Sequence, residues 1–159
     1  MGLFNKQKGL LAPVSGQCIS LRDVKDKVFS RLMLGDGIAI EPTECTVVAP
    51  ADGTVEVVMN ETEHTVGLKV RNDVEVLIHV GVNTSNLKGK GFKCLVKVGD
   101  KVKAGMPLIE FDKKIIEESG YKSTIIFIIS DNHDQAINFK NETDIVIAGK
   151  DIVLDLECI

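Results

Sequence analysis

The run Val74-Glu75-Val76-Leu77-Ile78-His79-Val80-Gly81-Val82-Asn83-Thr84 decides how this chain is read. β-Branched and aliphatic residues dominate it, which predicts a buried strand. One imidazole and one glycine stand where the apolar run ends. Alone, such a histidine is either a core histidine with its hydrogen bonds satisfied or a reactive group at a strand end. A second histidine upstream changes the balance.

That histidine lies in Thr62-Glu63-His64-Thr65-Val66-Gly67-Leu68-Lys69-Val70, ahead of the turn signal Arg71-Asn72-Asp73. A hairpin with a two-residue loop at Arg71-Asn72 sets His64 directly opposite His79. A loop at Asn72-Asp73 makes them diagonal neighbours. Either register puts both imidazoles on one sheet face, with Cβ atoms roughly 4.5–8 Å apart. Thr62, two residues before His64, points to the same face. The expected site is a shallow apolar depression holding the pair, rimmed by residues such as Phe29 and Leu77.

Outward from this hairpin the chain reads as short strands and turns. Ala12-Pro13-Val14-Ser15-Gly16 and Ala49-Pro50-Ala51-Asp52-Gly53 share the layout Ala-Pro-x-x-Gly, and two copies suggest a duplicated β unit. Arg22 to Leu34 is expected as irregular loop with a helical turn. Asp112 to Ser119, closed by Gly120, predicts a short helix. The apolar run Ile125-Ile126-Phe127-Ile128-Ile129 predicts a strand and is far too short for a membrane helix. His133 sits in a polar loop and reads as solvated. The fold class is therefore all-β, a sandwich or a barrel, with at most one or two short helices. The 159 residues form one domain over residues 10–159, preceded by a flexible segment, residues 1–9. Residues 1–8 are basic and include Leu3 and Phe4, which predicts weak or no membrane contact.

The net charge of −4, with Lys and Arg scattered, argues against a nucleic-acid partner. Cys18, Cys45, Cys94 and Cys158 are widely spaced without a C-x-x-C, and with no secretory leader they read as reduced, mostly buried thiols. No phosphate-binding loop pattern occurs.

Three chemistries compete for two imidazoles. In a phosphohistidine carrier one ring attacks phosphorus and the other stabilises the phosphoryl oxygens, so no cofactor or metal is required. If Nδ1–H of His79 donates to a nearby carbonyl, Nε2 is left to attack, and Gly81 allows the close backbone approach. Thr62 would bond one nitrogen of His64 and fix its tautomer. A zinc metallopeptidase of the lysostaphin-like fold has similar turns but needs an H-x-H pair and upstream ligands. Here Gly81 stands in place of the second histidine, and His64 has no histidine before it. The pair could still take up adventitious zinc. A biotinyl or lipoyl carrier domain shares the look of Val98 to Gly105 but lacks the Met-Lys-Met hairpin.

Taken together, several motifs resemble the glucose-class IIA component of the bacterial phosphoenolpyruvate-dependent sugar phosphotransferase system. They are Ala12 to Gly16, Val28-Phe29, Gly35-Asp36-Gly37-Ile38-Ala39-Ile40, Ala49 to Gly53, Thr62-Glu63-His64, and Ile78-His79-Val80-Gly81 through Gly91-Phe92. The resemblance implies an antiparallel β-sandwich of the duplicated hybrid motif type, with Greek-key or jelly-roll-like connections, and a cytoplasmic, monomeric carrier. It implies that His79 takes phosphate on Nε2 from the histidine-containing phosphocarrier protein and passes it to a cysteine of a IIB domain of a sugar permease. His64 is then the helper and Thr62 its orienter. Phe29, Leu77, Asp26, Val28, Gly81 and Asn83 are the implied partner-binding residues, and regulatory protein targets are a further expected class. Asn83 departs from the family, which usually has Asp there. The sugar stays open, although Ile116 to Tyr121 is similar to versions serving β-glucosides, sucrose or trehalose.

Overall fold

The structure is a computed structural model and describes residues 9–156. The strands of the first half are β1 (Gly9–Leu11), β2 (Gly16–Ser20), β3 (Asp36–Pro42), β4 (Thr46–Val48), β5 (Gly53–Val58), β6 (Thr65–Val70) and β7 (Glu75–Val82). Those of the second are β8 (Phe92–Cys94), β9 (Lys101–Val102), β10 (Pro107–Phe111), β11 (Lys122–Asp131), β12 (Ile137–Phe139), β13 (Ile145–Val146) and β14 (Ile152–Leu156). Two short helices interrupt them, α1 (Lys27–Ser30) and α2 (Lys113–Glu118). Asp112 caps α2 by accepting from the Ile115 N–H, and Gly120 follows with φ +90°, so the helix begins and ends where its sequence signals lie. All strand pairing is antiparallel.

The eight-stranded sheet runs β13-β2-β3-β11-β7-β6-β5-β9, and the two three-stranded sheets run β1-β14-β12 and β4-β10-β8. These orders are mirror images of one another about the β11–β7 seam: β2 corresponds to β5, β3 to β6, β1 to β4 and β14 to β10. The Ala-Pro-x-x-Gly echo is the hinge of this duplication. Leu11 N–H donates to the Pro50 carbonyl (2.9 Å) while Val48 N–H donates to the Pro13 carbonyl (2.7 Å). Gly149 N–H reaches Ala12 O as Gly105 N–H reaches Ala49 O. Ser15 Oγ accepts from Ala148 N–H as Asp52 Oδ1 accepts from Ala104 N–H. The unit from β4 to β10 is continuous in sequence and sits inside the other, which is split between β1–β3 and β11–β14.

The main core lies between the large sheet and the two small ones. It takes Val76, Ile78 and Val80 from β7, Val66, Leu68 and Val70 from β6, and Val47, Ile109, Val153 and Leu154 from the covering strands. A second, smaller cluster lies on the other face, where Leu21, Val24 and Phe29 cover Ala39, Ile126 and Ile128. β11 is thus buried on both sides, which explains its unbroken apolar run.

Three expectations need correction. The β6–β7 loop has three residues, Arg71–Asp73, closed by Val70 N–H to Val74 O at 2.8 Å, with Asn72 and Asp73 at positive φ. The ladder therefore pairs Thr65, not His64, with His79. The flexible segment was expected to include residue 9, but Gly9 pairs with Asp155, and a Cβ there would meet Ile152 Cγ2 at 2.5 Å. Residues 1–8 and Cys158 lie outside the described residues. Cys18 is buried as expected and Cys94 is partly buried, but Cys45 is exposed; all three are free thiols. His133 is exposed, and its Nε2–H donates to the Asp73 carbonyl at 2.8 Å.

Candidate functional site

Strand alternation sends Val76, Ile78 and Val80 into the core, so Leu77 and His79 face the other way, toward α1. His64 precedes β6 and escapes that alternation. Glu63 before it has φ +53°, and the His64 carbonyl still accepts from Val80 N–H at 2.7 Å. The backbone kink swings the His64 ring over to its neighbour. The two imidazoles meet edge to face, centroids 4.5 Å apart at 90°. The sequence expectation that the pair shares one site holds, reached by a kink rather than by ladder pairing.

Each ring has its own anchor. His79 Nδ1 lies 2.8 Å from the Gly81 carbonyl. A carbonyl only accepts, so Nδ1 carries the proton and Nε2 keeps its lone pair. Gly81 is required here: its φ is +82°, and a Cβ would stand 2.3 Å from Thr84 Cγ2 and 2.8 Å from the Lys122 carbonyl oxygen. Thr84, fully buried, donates its hydroxyl to the Val80 carbonyl and fixes the turn after β7. His64 Nδ1 lies 2.7 Å from Thr62 Oγ1. A hydroxyl both donates and accepts, so the tautomer of His64 follows the direction of the Thr62 proton.

Aromatic rings close the site on two sides. Phe29 packs 5.0 Å from His79 and Phe92 packs 6.2 Å from His64. Phe29 is held by α1, whose N-cap is Asp26; its Oδ1 accepts from Val28 N–H at 2.9 Å and Phe29 N–H at 3.3 Å. Burial first and the neighbouring His64 second hold the His79 pKa down at about 4, against the opposing pull of the Gly81 hydrogen bond and the Asp26 charge. Burial also lowers the pKa of His64, opposed by a hydrogen bond to the Thr62 backbone. Both rings are neutral at pH 7, the form in which an imidazole nitrogen is a nucleophile.

Of the residues expected to meet partners, Phe29 packs on His79, Asp26 caps α1 close enough for its charge to act on His79, Val28 is exposed on α1, and Leu77 is half-buried on the face of His79. Gly81 is buried and acts through its carbonyl, while Asn83 is exposed at φ +62° just past β7. Thr84 escaped the sequence reading as a contributor, although a threonine three residues after a glycine at a strand end was visible there. Among the described residues no cluster of three or more His, Cys, Asp or Glu side chains could hold a metal ion. The histidine pair alone supplies two ligands, half of a tetrahedral site.

A neutral imidazole anchored through one nitrogen, with a second imidazole in edge-to-face contact, is an arrangement suited to nucleophilic group transfer. The chain belongs to the EIIA 1 family of the phosphoenolpyruvate-dependent sugar phosphotransferase system, whose pattern matches residues 8–135. Members of this family are phosphotransferase components that carry phosphoryl groups in sugar uptake, and so does this chain. It is 41% identical over 161 residues to the glucose-specific EIIA component of Staphylococcus epidermidis, covering 97% of this chain and 96% of that one. It is 42% identical over 140 residues to the glucose-specific EIIA component of Bacillus cereus, covering 88% and 84%. Among solved structures, glucose permease IIA from Mycoplasma capricolum superposes with a TM-score of 0.86 at 33% identity, over 95% of this chain and 96% of that one. No helix among the described residues is long and apolar enough to cross a membrane.

Proposed function

We propose that His79 is the phosphoryl acceptor and that His64 and Thr62 assist it. The observation that carries this reading is the bond from His79 Nδ1 to the Gly81 carbonyl, which leaves the Nε2 lone pair free. The Nε2 lone pair forms the new N–P bond. The bond from phosphorus to the donor breaks, and its electron pair leaves on the donor imidazole of the histidine-containing phosphocarrier protein. In the second half-reaction a thiolate of the IIB domain of a sugar permease attacks phosphorus, and the N–P electron pair returns to Nε2. His64 donates to a phosphoryl oxygen from its second nitrogen, and Thr62 holds that ring in place. The recess formed with Phe29 and Leu77 excludes water from the phosphohistidine and receives the partners, with Val28, Asp26 and Asn83 around it. Gly81 acts through its carbonyl alone.

The chemistry belongs on the cytoplasmic side, where phosphoenolpyruvate is made available, in a single monomeric domain that begins at Gly9. The IIB partner sets the sugar. The test is incubation with phosphoenolpyruvate, its kinase enzyme and the phosphocarrier protein, read by intact mass. We expect a gain of one phosphate, labile to acid and stable to base, mapping to His79. No gain under conditions that phosphorylate the phosphocarrier itself would overturn the proposal.

A further inference from the structure

Three threonine hydroxyls surround the histidine pair. Thr62 is bonded to His64, and Thr84 to the Val80 carbonyl. The third, Thr65, is different: it is 3% exposed, and its Oγ1 is the buried side-chain polar atom that has no hydrogen-bond partner among the described residues. Burying an unpaired hydroxyl works against stability, and valine would fill the same space without that cost.

The ladder says where the hydroxyl is. Thr65 is the direct cross-strand partner of His79. The bond from Val80 N–H to the His64 carbonyl flanks this pair, which makes it the non-hydrogen-bonded kind, with the strands and side chains at their closest. Val66, Leu68 and Val70 point into the core, so Thr65 shares the face of His79. The neighbouring rings of Phe29 and Phe92 offer no donor. A phosphoryl group on His79 brings acceptor oxygens beside these rings, where the second nitrogen of His64 is one donor and the unpartnered Thr65 hydroxyl is another.

We propose that Thr65 is a further phosphoryl-binding residue: its hydroxyl donates to an oxygen of the phosphoryl group carried by His79 and lacks a partner until that group arrives. The hydroxyl keeps its proton, and no bond at Thr65 forms or breaks. This rests on His79 being the acceptor. Hydrogen bonds to a charged group are the strong class, so the effect should be large.

The experiment compares the full chain with Thr65→Val and Thr65→Ser. Phosphorylation by the phosphocarrier protein is followed by intact mass and by the ³¹P resonance of phosphohistidine, and thermal unfolding is measured without phosphate. Thr65→Val should unfold at the same or a higher temperature, yet lower the phosphorylation rate or the equilibrium phosphorylated fraction about tenfold or more. Thr65→Ser should recover most of the loss and restore the ³¹P shift. Full-rate phosphorylation of a folded Thr65→Val overturns the proposal, and so does a loss that serine leaves uncorrected. If valine does not fold, Thr65→Ala is read against Thr65→Ser in the same way. Failure of the parent chain to take phosphate would overturn the assignment of His79 as well, and is thereby distinguished from failure at Thr65 alone.

Discussion

His64 and His79 touch ring edge to ring face, 4.5 Å between centroids, although the ladder partner of His79 is Thr65. The contact depends on Glu63, whose positive φ turns the chain just before β6. The two rings are therefore anchored independently, one by a backbone carbonyl and one by a hydroxyl, and their roles should separate on mutation.

His79→Gln should abolish phosphate acceptance, because an amide is no nucleophile at neutral pH. His64→Gln should still accept phosphate but transfer it slowly. Loss of one preorganised donor costs about 2.7–4 kcal/mol, or roughly a hundred- to a thousand-fold in rate. Rapid-quench transfer to the IIB domain measures it, and equal, complete loss in both variants would refute the division of roles.

The pH profile should be unusually acid-tolerant. A free imidazole is half protonated near pH 6.5, but His79 titrates at about 4, because burial opposes its charge. The initial rate of phosphorylation should stay flat from pH 8 to about 5 once the phosphocarrier's own titration is corrected for. Stability carries the opposite side of the same linkage. Between pH 6.5 and 4 the unfolded chain binds a proton at this histidine that the folded chain refuses, so stability is full above 6.5 and falls as the pH drops toward 4. The loss from His79 is at most about 3 kcal/mol, and His64 adds in the same direction. Urea unfolding at pH 7 and pH 4.5, with His79→Gln as control, reads it.

Gly81→Ala should damage fold and site together. Positive φ and clashes with Thr84 and the Lys122 carbonyl leave no room for the methyl group. A loss of about 2–4 kcal/mol is expected, typical of strain at a special backbone position. Wild-type melting temperature and phosphorylation in this variant would show that the turn after β7 accommodates a side chain at this position.

Phe29→Ala should return His79 to water. Removing the ring 5.0 Å away lifts part of the desolvation that depresses its pKa, so the His79 resonances should titrate closer to 6.5 in NMR. Phosphohistidine hydrolysis should quicken in parallel. An unmoved titration would place the burial of His79 elsewhere.

Asn83→Asp should raise the association rate with a basic phosphocarrier at low salt and leave the chemical step nearly unchanged. Asn83 is exposed beside the end of β7, where a carboxylate steers rather than reacts. The gain should shrink toward 0.15 M salt, where the screening length is about 8 Å. A gain independent of salt would indicate local hydrogen bonding instead.

Much of this was legible in the sequence. The alternation through Val76, Ile78 and Val80 marks the core face of β7, and the doubled Ala-Pro-x-x-Gly marks the duplication. Hairpin register was not legible, because Arg71-Asn72-Asp73 suits loops of two or three residues and only Asn72 and Asp73 at positive φ decide between them. The His64–His79 contact was expected for the wrong geometric reason, since a left-handed Glu63 leaves no signature that glycine or asparagine would have left. Thr65 was invisible as a site residue for the same cause: its importance follows from a register one residue away from the expected one.

The nesting of one unit inside the other has a consequence for how the chain can be rewired. β1 and β14 are hydrogen-bonded neighbours, Gly9 against Asp155. A short peptide joining that edge, with a new opening at Thr43 to Cys45 between β3 and β4, gives a circular permutant that runs through β4–β10, then α2 and β11–β14, then β1–β3. The two units would then stand in tandem, each continuous, with every ladder and the His64–His79 contact retained. The join also converts the end-to-end pairing of β1 with β14 into one between segments adjacent along the chain.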